Sequence, residues 1–113
     1  MGLSQVDYVS PKELLPITVK TTSFASEQFA VNNNPSISFN LYAMLSSEFT
    51  GSAKAQGSLD GTTWVDLRET TAILSGDDEV LWTLSELQSL MFVRLYVTIS
   101  SGSAAIQILA RGT

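Results

Sequence analysis

The sequence contains no cysteine and no histidine. Without cysteine there is no disulfide framework, thiolate nucleophile or thiolate metal site. Without histidine there is no Ser-His-Asp triad, imidazole base or imidazole metal ligand. Positive charge is also scarce. Lys and Arg number 6 against 11 Asp and Glu, a net charge of −5. Six scattered cations on an acidic chain lack the footprint that phosphate backbones require, so nucleic-acid binding is not expected. The most apolar stretch, Leu90 to Ile99, contains Arg94 and is too short to span a bilayer as a helix. The opening residues Met1 to Asp7 carry no basic region followed by an apolar one, so no secretory leader or membrane anchor is expected. The sequon-like Asn34-Pro35-Ser36 is blocked by its proline.

What remains is apolar and weakly charged. Of 113 residues, 44% are hydrophobic and 15% charged, where roughly 25% charged is usual. A chain of this size forms one domain and buries about two thirds of its unfolded surface. Its periodicity is two. Ile37, Phe39, Leu41, Ala43 and Leu45 alternate with Ser38, Asn40, Tyr42 and Met44. Val93, Leu95, Val97 and Ile99 alternate with Phe92, Arg94, Tyr96 and Thr98. Shorter alternations fall at Ile17–Thr22, Ala53–Leu59, Val80–Leu84 and Ala104–Ala110. Turn clusters separate them: Asn32-Asn33-Asn34-Pro35, Asp60-Gly61, Ser75-Gly76-Asp77-Asp78 and Ser100-Ser101-Gly102-Ser103. Asp60-Gly61 and Ser100–Ser103 read as hairpin turns. Ser85 to Leu90 reads as one helical or 3₁₀ turn. No apolar stripe of helical period appears. The pattern predicts an all-β fold, an antiparallel β-sandwich or jelly-roll-like barrel of about eight strands.

Residues 1–16 lack a period, and Pro11 and Pro16 bracket Lys12–Leu15, which reads as a single helical turn. The segment reads as an N-terminal arm before a sandwich at 17–113. It either covers a sheet edge or reaches a neighbouring subunit through Val6, Tyr8, Val9, Leu14 and Leu15.

Few constellations could carry chemistry. Asp77-Asp78-Glu79 places carboxylates side by side after Gly76, without the alternating ligands of a calcium loop, and reads as a solvated turn. Asp60, Asp66, Glu69 and Glu79 could pair for glycoside hydrolysis, but a sandwich this small offers little room for a cleft. No catalytic residue, cofactor or metal is therefore expected. Trp82, between Val80 and Leu84, reads as core; Trp64 reads as core or as a sugar-stacking ring beside Asp66. The outward residues Phe92, Arg94 and Tyr96, with Tyr42 and Met44 on what would be a partner strand, form half-apolar faces that read as covered surface.

The run Gln56-Gly57-Ser58-Leu59-Asp60-Gly61-Thr62-Thr63-Trp64-Val65-Asp66-Leu67 resembles a hairpin of phage virion β-sandwich proteins. Phe92-Val93-Arg94-Leu95-Tyr96-Val97-Thr98, followed by Gly102 and a final strand, is similar to the end of those proteins. A weaker similarity, through Ser58-Leu59-Asp60-Gly61 and Trp64, is to discoidin-like carbohydrate-binding sandwiches. The first resemblance implies a non-enzymatic virion protein of capsid decoration or cement type, made in the host cytoplasm. It also implies contacts to a major capsid protein or other virion proteins, and a dimer or trimer. The second implies a carbohydrate-binding or tail-associated receptor-binding sandwich that would use Trp64 and Asp66.

Overall fold

The computed structural model describes residues 11–45, 47–85, 87 and 89–112. Among them ten strands form in two antiparallel sheets. The strands are β1 (Lys12–Lys20), β2 (Phe24–Ala25), β3 (Phe29–Ala30), β4 (Ser36–Leu45), β5 (Thr50–Ser58), β6 (Val65–Asp66), β7 (Ala72–Ser75), β8 (Asp78–Ser85), β9 (Phe92–Ser101) and β10 (Ala104–Gly112). The first sheet has the order β1-β10-β4-β8. The second has the order β2-β9-β5-β6, with β3 also on β9 and β7 also on β5. If β2 with β3, and β6 with β7, each count as one interrupted strand, eight strands pair as nested antiparallel couples. These are β1 with β10, β2/β3 with β9, β4 with β8, and β5 with β6/β7. A long hairpin rolled onto itself in this way is the jelly roll.

The alternation read from the sequence sets the core. Ile37, Phe39, Leu41 and Ala43 of β4 face inward with Ile106 and Ile108 of β10. Opposite them lie Val93, Leu95 and Val97 of β9 and the small Ala53 and Ala55 of β5. Both sheets mix large and small inward side chains in one continuous core. Trp82 is buried as expected, and its Nε1 donates to the Thr70 carbonyl at 2.6 Å.

Both interruptions of the second sheet fall on one row. Ala55 pairs directly with Leu95. On one side, the Leu95 N–H donates to Ser26 Oγ at 3.0 Å, and the Ser26 N–H donates to the Leu95 carbonyl at 2.8 Å. On the other, the Ala55 N–H donates to Thr70 Oγ1 at 3.0 Å, and the Leu67 N–H donates to the Ala55 carbonyl at 3.0 Å. Two hydroxyls replace absent ladder partners, so each outer strand breaks without orphaning a central backbone group.

Three sequence expectations are corrected. Lys12–Leu15 forms no helical turn. It begins β1, paired from Lys12↔Ala110 onward, and Leu14 is 2% exposed. Two bulges, between Glu13 and Leu15 and between Leu15 and Thr18, absorb Pro16 and break the period that would have revealed the strand. Ser100–Ser103 is not a hairpin turn, because β9 and β10 belong to different sheets. It is a corner between layers. Gly102 turns it at φ +73°, where a Cβ would overlap the Glu48 carbonyl oxygen. Finally, β5 and β6 do form a hairpin, but Gly57↔Val65 is its last pair, so the loop is wider than Asp60-Gly61 alone. Ser85 to Leu90 contains one turn, closed by the Leu90 N–H on the Leu87 carbonyl at 2.9 Å. Among the described residues, no helix is long and apolar enough to cross a membrane.

Candidate functional site

Period-two alternation leaves each sheet an outer face, and the two faces carry the candidate residues. On the second sheet, Lys54↔Tyr96 and Gln56↔Arg94 are directly opposed, with Asp66 beside Gln56. Gln56 accepts from Arg94 Nε at 2.8 Å and donates through Nε2 to Asp66 Oδ1 at 2.9 Å. Lys54 Nζ donates to the other oxygen of Asp66 at 2.8 Å and lies 5.9 Å from the centre of the Tyr96 ring. The Arg94 guanidinium stacks on Trp64 at 4.1 Å. Six side chains therefore form one linked row. The hydrogen bond from Lys54, then that from Gln56, holds the Asp66 carboxyl below its usual range. Partial burial lowers the Arg94 pKa, opposed by Tyr96.

The loop beside this row is built by two short side chains. Ser58 Oγ accepts from the N–H groups of Asp60 at 3.2 Å and Gly61 at 2.8 Å. Asp60 Oδ1 accepts from the N–H groups of Thr62 and Thr63, both at 2.9 Å. Those backbone donors, Thr63 first, with the Ser58 hydroxyl, lower the Asp60 carboxyl to a pKa of about 2. Gly61 has φ +83°, the left-handed conformation that the sequence expected there. The Asp60 carboxylate is thus a loop cap.

The outer face of the first sheet is different. Val19, Ala105 and Met44 form one cross-strand row. Gln107, Tyr42 and Glu79 form a second, and Glu13, Leu109, Asn40 and Leu81 a third. Tyr42 is 42% exposed, Met44 37% and Leu81 68%. The polar links here are longer: Asn40 to Glu79 is 3.2 Å, Ser38 to Thr83 3.3 Å and Gln107 to Glu13 3.4 Å. A shallow depression of about 350 Å³ lies on this face, among Pro11, Asn40, Glu79, Leu81, Leu109 and Arg111.

The interface residues read from the sequence are therefore divided. Phe92, Arg94 and Tyr96 lie on the second sheet, and Tyr42 and Met44 lie on the first, because β9 pairs with β5 and not with β4. Leu14 belongs to the core and is no surface residue, while Leu15 is half-buried against it. Val6, Tyr8 and Val9 lie outside the described residues. Trp64 is half-buried with one ring face under Arg94, and Asp66 is committed to Lys54 and Gln56. The four candidate carboxylates do not share a cleft. Glu79 lines the depression on the first sheet, and Glu69 lines another between the Leu67–Thr70 loop and the end of β8. No group of three or more Asp or Glu among the described residues could hold a metal ion. Sequence reasoning missed Leu81, although its apolar side chain on the outward parity of Val80–Leu84 was a usable signal.

No family model matches the chain, and no curated protein matches it. Solved structures do match. The crystal structure of the SPBc2 prophage-derived protein YomS is similar over 94% of this chain and 98% of that one, with a TM-score of 0.58 at 13% identity. The two chains share a fold. A subunit of Bacillus endospore appendages, described as disulfide-linked pili, matches over 94% of this chain and 97% of that one, at 12% identity and a TM-score of 0.38.

Proposed function

We propose that this chain is a non-enzymatic structural protein of a phage particle, a decoration or cement protein that stabilises the head by bridging subunits. The observation that carries the reading is the outer face of the first sheet, where Tyr42, Met44 and Leu81 stand exposed on regularly paired strands. Burying these exposed apolar side chains yields association energy at about 25 cal/mol per Å² before association costs. The end-to-end likeness to a prophage-derived protein supports the phage setting. A glycan-binding role is less favoured, because Arg94 already covers one face of Trp64 and Asp66 is already paired. The test is co-sedimentation of the purified chain with particles that lack it, followed by a melt of those particles. Saturable binding that raises the particle's melting temperature is the expected result. Absence of binding, together with selective capture on a glycan array, would reverse the two readings.

A further inference from the structure

The sandwich has four sheet edges, and three are blunted. β1 carries Pro16, two bulges, and Lys12 and Lys20 at its ends. β2/β3 and β6/β7 are interrupted, no piece exceeding four residues. These are familiar devices against edge-to-edge pairing. β8 has neither proline, bulge nor interruption, and its charges, Asp78 and Glu79, are confined to its first two residues. It runs eight residues without proline, keeps unshifted register with β4 from Ser85 to Asp78, and shows Leu81 to solvent. Among the described residues it pairs on one side alone. The Glu79 N–H is taken by the Asp78 carboxylate at 2.9 Å, which marks Glu79 as facing that open side. Backbone alternation then turns Leu81 and Thr83 the same way.

We infer that β8 is a self-association edge, which pairs antiparallel with β8 of a second copy of this chain. The strand's own sequence selects that occupant. Its charges sit at one end, Asp78 and Glu79, and its hydroxyls at the other, Thr83 and Ser85. Antiparallel self-pairing centred on Leu81 sets Glu79 against Thr83 of the partner subunit and Asp78 against Leu84 of the partner subunit, so no carboxylates oppose one another. A parallel arrangement would stack them. The same register keeps outward residues opposite outward ones and places Leu81 on Leu81 of the partner subunit across a two-fold axis. Two four-stranded sheets would join into one of eight strands, with their outer faces continuous. The inference concerns the chain in solution and does not depend on a phage particle.

The absence of cysteine gives a direct test. Directly opposed, hydrogen-bonded residues of an antiparallel pair have Cα atoms about 5.5 Å apart, within the range a disulfide spans. Full-length Leu81→Cys should form a covalent dimer under mild oxidation at micromolar concentration, at least tenfold faster than Ile73→Cys, an equally simple exposed site on β7. Sedimentation velocity of the unmodified chain should show a concentration-dependent dimer. Leu81→Lys, which brings two ammonium groups together, should weaken it at least tenfold while leaving the melt of the dilute monomer unchanged. A monomer at every concentration overturns the inference, as does equal cross-linking of both cysteine variants. So does a dimer unaffected by Leu81→Lys, which would place the contact on another face.

Discussion

On the second sheet Arg94 lies over Trp64, and Gln56 ties it to Asp66 and Lys54 through bonds of 2.8–2.9 Å. On the first, Tyr42, Met44 and Leu81 project among polar pairs of 3.2–3.4 Å that reach none of them. The same alternation makes both faces, yet one links most of its outward side chains to each other, with Ile73 left exposed on β7, and the other leaves Tyr42, Met44 and Leu81 unlinked. Groups already satisfied within the fold gain little from a second surface. Apolar groups left in water gain all of their transfer energy on being covered. A single sandwich can therefore tie up much of one outer face within the fold and leave more of the other in water.

The inner layer sets the scale for breaking that comparison. Phe39→Ala, on the buried side of the first sheet, should cost about 3–5 kcal/mol in a urea titration, a large share of an ordinary domain's stability. A loss below 1 kcal/mol would mean that Phe39 is not packed in the core as described. Next, Ser26→Ala removes the hydroxyl that accepts the Leu95 N–H and should cost about 1–3 kcal/mol by leaving a buried donor unpaired. A neutral result would show that the break beside β9 closes another way.

The network on the second sheet is a smaller matter. A double-mutant cycle of Trp64→Ala and Arg94→Ala should give a coupling of about 0.5–1 kcal/mol, the range for a partly exposed cation on an aromatic face. Zero coupling would erase the distinction between the two faces. The smallest stability effect belongs to the first sheet's outer face. Tyr42→Ser should change the melt by no more than about 0.5 kcal/mol and yet weaken particle co-sedimentation. If stability falls sharply and association does not, the face serves folding.

Much of the fold was legible because its strongest strands are locally patterned. Ile37 to Ala43 and Val93 to Val97 alternate without fault, and each is buried as its parity requires. What was not legible depends on partners far along the chain. A tight glycine turn at Gly102 looks the same whether its flanking strands pair or diverge into different layers. The bulged β1 carries no period to read. The stacking of Arg94 on Trp64 joins residues with no local relation, so the sequence offered each ring and cation singly but not their union.

The nested pairing has a kinetic consequence. β10 lies between β1 and β4, and Lys12 finds its partner at Ala110. As the chain is made, the flanks of β1 and β4 stay bare of that neighbour until β10 is complete. Closing so long a loop pays its entropy before any contact returns it, which places such folds on the order of milliseconds to seconds. A ribosome-bound intermediate would display Ile37, Phe39 and Leu41 next to an empty lane in the sheet, where the wrong strand can enter. In this topology β1 and β4 are joined only through β10, so a chain stopped before Ala104 lacks the strand that bridges them.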